Sequence, residues 1–174
     1  MIRILILVFI FISGYLSAQP IQKIEISNSD NELHHSERTH HNHIAIFIGG
    51  TRFDKKSKTY FSLGVDYAYI PSAEKTWAFS IFGEIVFADH NEYLIGLPVF
   101  YYISRSLWLR AGPGIEIIQV EDNHHTKSHI EMLFRVGAGY EFHLGEFSIT
   151  PSLDYDFVRN NDALVFGLNF GYGF

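Results

Sequence analysis

The sequence predicts an all-β chain: an eight-stranded antiparallel up-and-down barrel that spans a membrane and has a filled interior. Three observations carry this reading. Apolar residues alternate with small or polar ones through most of residues 43–174, the period of strands whose two faces meet different surroundings. Aromatic residues make up 16% of the 174-residue chain and charged residues only 18%, where an ordinary soluble domain is roughly 25% charged. The alternating segments are also long, near the 9–11 residues that cross a bilayer as a tilted strand.

The chain begins with a segment of another kind. Arg3 precedes an unbroken apolar run, Ile4 to Ile12, and small residues (Ser13, Gly14, Ser17, Ala18) lead to Gln19. A short basic region, an apolar core and a small-residue site are the parts of a secretory signal peptide, expected over residues 1–18. The run is too short for a membrane-spanning helix, which needs about 20 residues. Removing this segment takes Arg3 away and leaves 12 basic against 19 acidic residues, a net charge of −7. That balance argues against binding nucleic acid. The chain has no cysteine, which excludes disulfides, thiolate chemistry and lipid attachment through an N-terminal cysteine. Residues 19–42 are polar and rich in Ser, Asn, Glu and His, the composition of a tail without a core of its own.

From residue 43 the strands follow in order. Ile44, Ile46 and Ile48 open the series over 43–50. Over 58–70, Phe61, Leu63, Val65, Tyr67 and Tyr69 oppose Ser62, Gly64, Asp66 and Ala68. Trp77, Phe79 and Ile81 mark a strand at 76–87; Tyr93, Ile95, Leu97 and Val99 mark one at 92–102; Leu107, Leu109, Ala111, Ile115 and Ile117 mark one at 106–119. Over 128–142, Ile130, Met132, Phe134, Val136, Ala138, Tyr140 and Phe142 oppose Glu131, Leu133, Arg135, Gly137, Gly139 and Glu141. The last two strands, 146–157 and 162–174, set Phe147, Ile149, Pro151, Leu153 and Tyr155, then Leu164 through Phe174, against mostly small or polar partners.

An even number of antiparallel hairpins closes a sheet without leaving an edge. Eight strands enclose a space just wide enough for side chains. A soluble lipocalin-like barrel or a β-sandwich would also alternate, but with its apolar face inside and a charged face outside. Here the second face is dominated by Gly, Ser and Ala, including Gly64, Gly96, Gly112, Gly114, Gly137, Gly139, Gly167, Gly171 and Gly173. Such a face suits a crowded interior better than water. The connections at 51–58, 88–91, 120–127 and 159–162 then form one set of loops, and those at 71–75, 104–106 and 143–146 form the opposite turns.

The alternating segments, and the closing Gly167-Leu168-Asn169-Phe170-Gly171-Tyr172-Gly173-Phe174, make residues 43–174 resemble the small eight-stranded outer-membrane barrels of the OmpA/OmpX type. The resemblance implies an outer-membrane location, with the N-terminal tail and the C-terminus in the periplasm. It also implies a monomer surrounded by outer-membrane lipid, and a C-terminal signal at Phe170, Tyr172 and Phe174 read by the barrel-assembly machinery.

Three groups of residues are candidates for chemistry. Asp66, Glu84, Arg110, Glu116, Glu131, Arg135, Glu141, Asp154 and Asp156 fall on the inward face, where a charge excluded from water needs a partner. Counting from the hairpins sets Arg135 level with Asp154. Such a network plugs the lumen, since the bore is too small for an ion path. The histidines His34, His35, His40, His41 and His43 cluster ahead of the first strand, a composition that can offer ligands to Zn²⁺ or Cu²⁺. No fixed-spacing metal motif is present, and no other cofactor is expected. His124, His125, Ser128, His129 and Glu131, with Asp122, supply the residue types of a lipid A-modifying hydrolase at the rim, without a nucleophile motif around Ser128. The expected function is therefore a non-enzymatic outer-membrane barrel with a structural or surface ligand-binding role. The alternatives are a conduit for small apolar molecules, a rim enzyme, and metal binding by the tail.

Overall fold

A computed structural model describes residues 41–174 apart from 56–57, 72–75, 123–124 and 160. The expected signal peptide and nearly all of the polar tail, with His34, His35 and His40, lie outside the described residues.

Ten strands make eight staves. They are β1 (Asn42–Phe53), β2 (Thr59–Tyr69), β3 (Trp77–Phe87), β4 (Glu92–Gly96), β5 (Val99–Tyr102), β6 (Leu107–Asp122), β7 (His125–Tyr140), β8 (Phe142–Leu144), β9 (Phe147–Val158) and β10 (Ala163–Gly173). β4 and β5 are halves of one stave, interrupted at Leu97 and Pro98. Both halves hold the same register against β3, Phe82↔Gly96 and then Phe79↔Val99. The break has a local cause: Pro98 has no N–H to give to the ladder. Its carbonyl still accepts from the Ser80 N–H at 2.9 Å, and the Leu97 N–H donates to the Pro113 carbonyl at 2.9 Å. β8 likewise continues the β7 stave beyond Glu141, pairing with β9.

Every neighbouring pair is antiparallel, and β10 returns to β1 from His43↔Gly173 to Phe53↔Ala163. Closure satisfies the wall's backbone groups within the wall, which hydrocarbon demands of any sheet that crosses it. The ends of β1, β3, β6 and β9 and the starts of β2, β4, β7 and β10 gather at what we term the loop end. The start of β1, the end of β10 and the turns at 103–106 and 145–146 gather at the opposite, terminal end.

The faces separate cleanly. In β1, Ile46 is 53% exposed while its neighbour Phe47 is 6% exposed. Ile44, Ile46, Ile48, Phe61, Leu63, Val65, Trp77, Phe79, Met132, Phe134, Leu153 and Phe166 all lie outward, so the molecule's surface is an apolar belt around the staves. The interior is layered. Phe53, Phe82, Val86, Leu94, Leu133, Val158 and Ala163 pack together toward the loop end, and Ala68, Ile70, Ala78, Phe100 and Trp108 toward the terminal end. Arg110, Arg135 and the carboxylates they hold lie between these two apolar plugs.

Three sequence expectations change. Large aromatics share the inward face that the sequence marks as small and polar, and glycines make room for them. A Cβ on Gly139 would strike the Trp108 ring, one on Gly96 the Phe82 ring, and one on Gly49 or Gly167 the Phe47 ring. The loop expected from residue 51 begins later, because Thr51 and Phe53 continue the inward alternation past Gly49 and Gly50, at 1% and 3% exposure. The loop expected at 120–127 is instead a β-ribbon, paired from Gln119↔Ser128 out to Asp122↔His125.

Gly49 and Gly167 face each other across the closing seam, with the Phe47 ring above both. Gly167→Val inserts a side chain against the Ile48 carbonyl and that ring. It is expected to destabilise the closed barrel by about 1–3 kcal/mol, as overpacking does. Urea titration of the refolded protein, followed by heat-modifiable gel migration, checks this; an unchanged midpoint contradicts the tight seam.

Candidate functional site

The charged layer is built from two arginine forks. Arg135 on β7 donates from Nε and Nη2 to both oxygens of Asp156 on β9, at 2.6 and 2.7 Å, and from Nη1 to Glu84 on β3 at 2.8 Å. Its guanidinium lies 4.2 Å from the centre of the Phe82 ring. Thr51 on β1 donates to Glu84 at 3.4 Å and shares a 2.6 Å hydrogen bond with Ser62 on β2. One guanidinium therefore ties two adjacent staves to a third across the lumen.

Arg110 on β6 repeats the arrangement nearer the terminal end. Nε and Nη2 donate to Asp154 at 2.6 and 2.7 Å, and Nη1 donates to Asp66 on β2 at 3.0 Å. The Ser80 hydroxyl donates to the other Asp66 oxygen at 2.6 Å. The rings of Trp108 and Phe100 lie 5.5 and 5.7 Å from this guanidinium. The planar fork suits the task, because it satisfies a carboxylate with two parallel hydrogen bonds and keeps a third donor direction for another strand.

Arg135 thus meets Asp156 rather than Asp154, a shift of one inward position from the sequence count. The cause is the β8–β9 turn. Leu144 pairs directly with Phe147, leaving a two-residue connection that begins with Gly145 at φ 72°, the left-handed geometry that tight hairpins favour. The tighter turn slides β9 by two residues against β7 and preserves its faces. Asp154 then lies opposite Gly137, and a Cβ at that glycine would land on the Asp154 carboxylate.

The remaining charges occupy the two ends. Glu116 faces Glu131 in register and adjoins β4, which carries Glu92; Glu92 and Glu116 are buried. His129 Nε2 lies 3.0 Å from Glu131. At the terminal end Glu141 lies between two imidazoles, 3.9 Å from His43 Nε2 and 3.4 Å from His143 Nδ1. His43 also bonds the Ser148 hydroxyl at 3.1 Å, and His41 bonds the Ile70 carbonyl at 3.0 Å. A pocket of about 40 Å³ opens beside His43, Tyr102, Glu141 and Phe147.

The nine acidic and basic residues marked on the inward face are thus spread over three levels. Thr51, Ser62, Ser80 and Phe82, which complete the central level, were not singled out by sequence. Their signal was the parity of their positions relative to Ile48, Phe61 and Ile81. Ser128 is not brought to His129 and Glu131: successive strand residues point to opposite faces, so Ser128 shares its face with the exposed Ile130 while His129 and Glu131 share the other. Among the described residues, no group of three His, Cys, Asp or Glu side chains is placed to hold a metal. The C-terminal aromatics lie on the outer wall, where Tyr172 packs 5.2 Å from Phe147 and its hydroxyl donates to Glu146 at 3.1 Å.

No protein-family model matches this sequence, and no curated protein matches it. Solved structures do. The N-terminal β-barrel domain of OprF from Pseudomonas aeruginosa aligns over 78% of this chain and 99% of its own, with a TM-score of 0.61 at 18% identity. Neisserial surface protein A aligns over 76% and 96%, with a TM-score of 0.63 at 13% identity. The fold is that of the small eight-stranded outer-membrane β-barrels. Ail, the attachment invasion locus protein of Yersinia pestis, shares it over 76% of this chain and 97% of its own, with a TM-score of 0.54 at 17% identity.

Arg135→Met leaves Asp156 and Glu84 buried without their cation. It is expected to destabilise the barrel by about 3–5 kcal/mol, the cost of breaking a buried pair from one side. Adding Asp156→Leu and Glu84→Gln to Arg135→Met is expected to recover a large part of that loss. Equilibrium unfolding in urea, measured by tryptophan fluorescence of the three proteins, distinguishes this coupling from additive damage.

Proposed function

We propose that this chain is a non-enzymatic barrel of the outer membrane whose task is structural, with its tail and C-terminus in the periplasm and its loop end at the cell surface. The observation that carries the reading is the solid interior: an apolar plug, a charged layer locked by Arg110 and Arg135, and a second apolar plug. A conduit needs a continuous path, and this stack argues against one. A rim hydrolase needs a nucleophile beside its base, and the opposed faces of Ser128 and His129 argue against that. Phe170, Tyr172 and Phe174, together on the lipid-facing wall, support recognition by the barrel-assembly machinery.

A second reading, binding at the cell surface, is favoured by one feature. The β7–β9 ladder stops at Leu133↔Val158, whereas β7 runs on to His125 with β6 as its partner among the described residues. A strand edge of this kind can accept a strand from another protein. The histidine tail stays a candidate for Zn²⁺ or Cu²⁺. Zn²⁺ titration of the refolded chain with and without residues 19–41 tests it, and equal binding by the two removes the tail from consideration.

Planar-bilayer recording tests the principal reading. The refolded wild type is expected to give no sustained conductance. Arg110→Ala combined with Arg135→Ala and Phe82→Ala is expected to give ion-conducting events by emptying the central layer. A steady wild-type conductance would overturn the plugged-barrel reading.

A further inference from the structure

Metal-ligating side chains from two different staves converge at the terminal end. His43 on β1 seats its ring over Gly171, where a Cβ would strike Nε2. That nitrogen shares a 3.1 Å hydrogen bond with the Ser148 hydroxyl and lies 3.9 Å from Glu141 Oε1. From β8, His143 brings Nδ1 to 3.4 Å from the same oxygen. Glu141 is buried, and the His143 side chain is 38% exposed. All three groups border the pocket of about 40 Å³ at this mouth, together with Asn42 and Ile70.

The hydrogen bonding of His143 indicates what belongs between it and Glu141. Its Nε2 lies 3.0 Å from the Arg105 carbonyl; a carbonyl only accepts, so this nitrogen carries the ring proton. In the neutral ring Nδ1 is then an acceptor, set 3.4 Å from a carboxylate oxygen that is also an acceptor. Such a pair is satisfied by a positive charge between its members. The spacing fits a metal ion, since two donors each about 2.0–2.1 Å from a tetrahedral Zn²⁺ stand roughly 3.4 Å apart. A histidine ligand also ordinarily gives its other N–H to a carboxylate or a backbone carbonyl, as His143 does to Arg105. The pocket is far smaller than a small-molecule site and has room for an ion with a water or two.

We propose that Glu141 and His143 hold a Zn²⁺ ion at the terminal mouth together with histidines of the N-terminal tail. The inference rests on the tail-metal reading above and gives that metal its fixed half. The described residues offer this pair and not a complete set, so the remaining donors come from the chain that precedes β1. That chain enters the barrel at the pocket. His41 bonds the Ile70 carbonyl at 3.0 Å, and Ile70 lines the pocket; His40, His35 and His34 come just before it in the sequence. Imidazoles with one carboxylate make a ligand set that Zn²⁺ accepts. The ion then pins the tail to the barrel.

The test measures Zn²⁺ affinity at neutral pH by competition with a chromogenic chelator. It compares the refolded mature chain with Glu141→Gln, with His143→Ala, and with the triple variant His34→Ala, His35→Ala, His40→Ala. Each variant is expected to bind at least about 10-fold more weakly than wild type, since even residues behind the ligands are worth that much. Weakening in the tail variant alone overturns this inference and leaves the tail-metal reading standing. Weakening in the barrel variants alone overturns the share given to the tail. No binding by wild type overturns both, and makes a second ring proton on His143 the occupant. A measurement on wild type alone guards against variants that do not fold: modification by diethyl pyrocarbonate, read by mass spectrometry. Zn²⁺ is expected to protect His143 and to leave His129 at the loop end reactive. Equal protection of the two, or none at His143, overturns the proposal.

Discussion

An unpaired backbone N–H or C=O in hydrocarbon costs several kcal/mol, and a sheet crossing a bilayer has such groups along any open edge. The β1–β10 ladder removes that edge, and much of the rest of the molecule follows from it. Closing at eight staves leaves an interior as narrow as the side chains that fill it. The inward residues therefore form a core with an apolar exterior, the reverse of a soluble barrel. The polar groups carried inside are held by protein partners rather than by bulk water.

Two guanidiniums organise that core. Each grips a β9 carboxylate with two hydrogen bonds, Arg135 from the adjacent β7 and Arg110 from β6 across β7, and holds a more distant stave through its remaining donor, Glu84 for Arg135 and Asp66 for Arg110. The distant bonds make the forks cross-braces, resisting collapse or ovalisation of the cylinder as well as local sliding. The apolar plugs on either side keep the layer dry, which strengthens each bond and raises the cost of losing a partner. Phe82 belongs to the loop-end plug and also lies 4.2 Å from the Arg135 guanidinium, so the apolar and charged levels share a side chain.

Size complementarity across the wall lets a narrow bore hold aromatic rings. Trp108 occupies the space above Gly139, Phe82 that above Gly96, and Phe47 that above Gly49 and Gly167. At Gly137 the same device serves charge rather than bulk, since the absent side chain is where the Asp154 carboxylate reaches Arg110. The glycines that weaken the strands locally, having no side chain to pack, thus belong to the packing of the staves beside them.

Alternation is a local property, and the amino-acid order alone determined what depends on it. It set the all-β class, the eight staves, which face of each turns outward, and which charges lie inside. The Leu164-to-Phe174 segment shows this plainly, its apolar and small residues dividing as the burial of β10 divides. Register and contacts across the lumen depend on residues far apart in the chain, and these only the tertiary structure decided. A two-residue turn at Gly145 moved the partner of Arg135 from Asp154 to Asp156 without changing a face. Glu84, Thr51 and Ser62 joined that site from staves on the far wall. Ser128 and His129, neighbours in sequence, were parted by the pleat. A period of two shows on which side a residue stands; what stands opposite is settled by closure, because only the finished cylinder brings distant staves within hydrogen-bond reach.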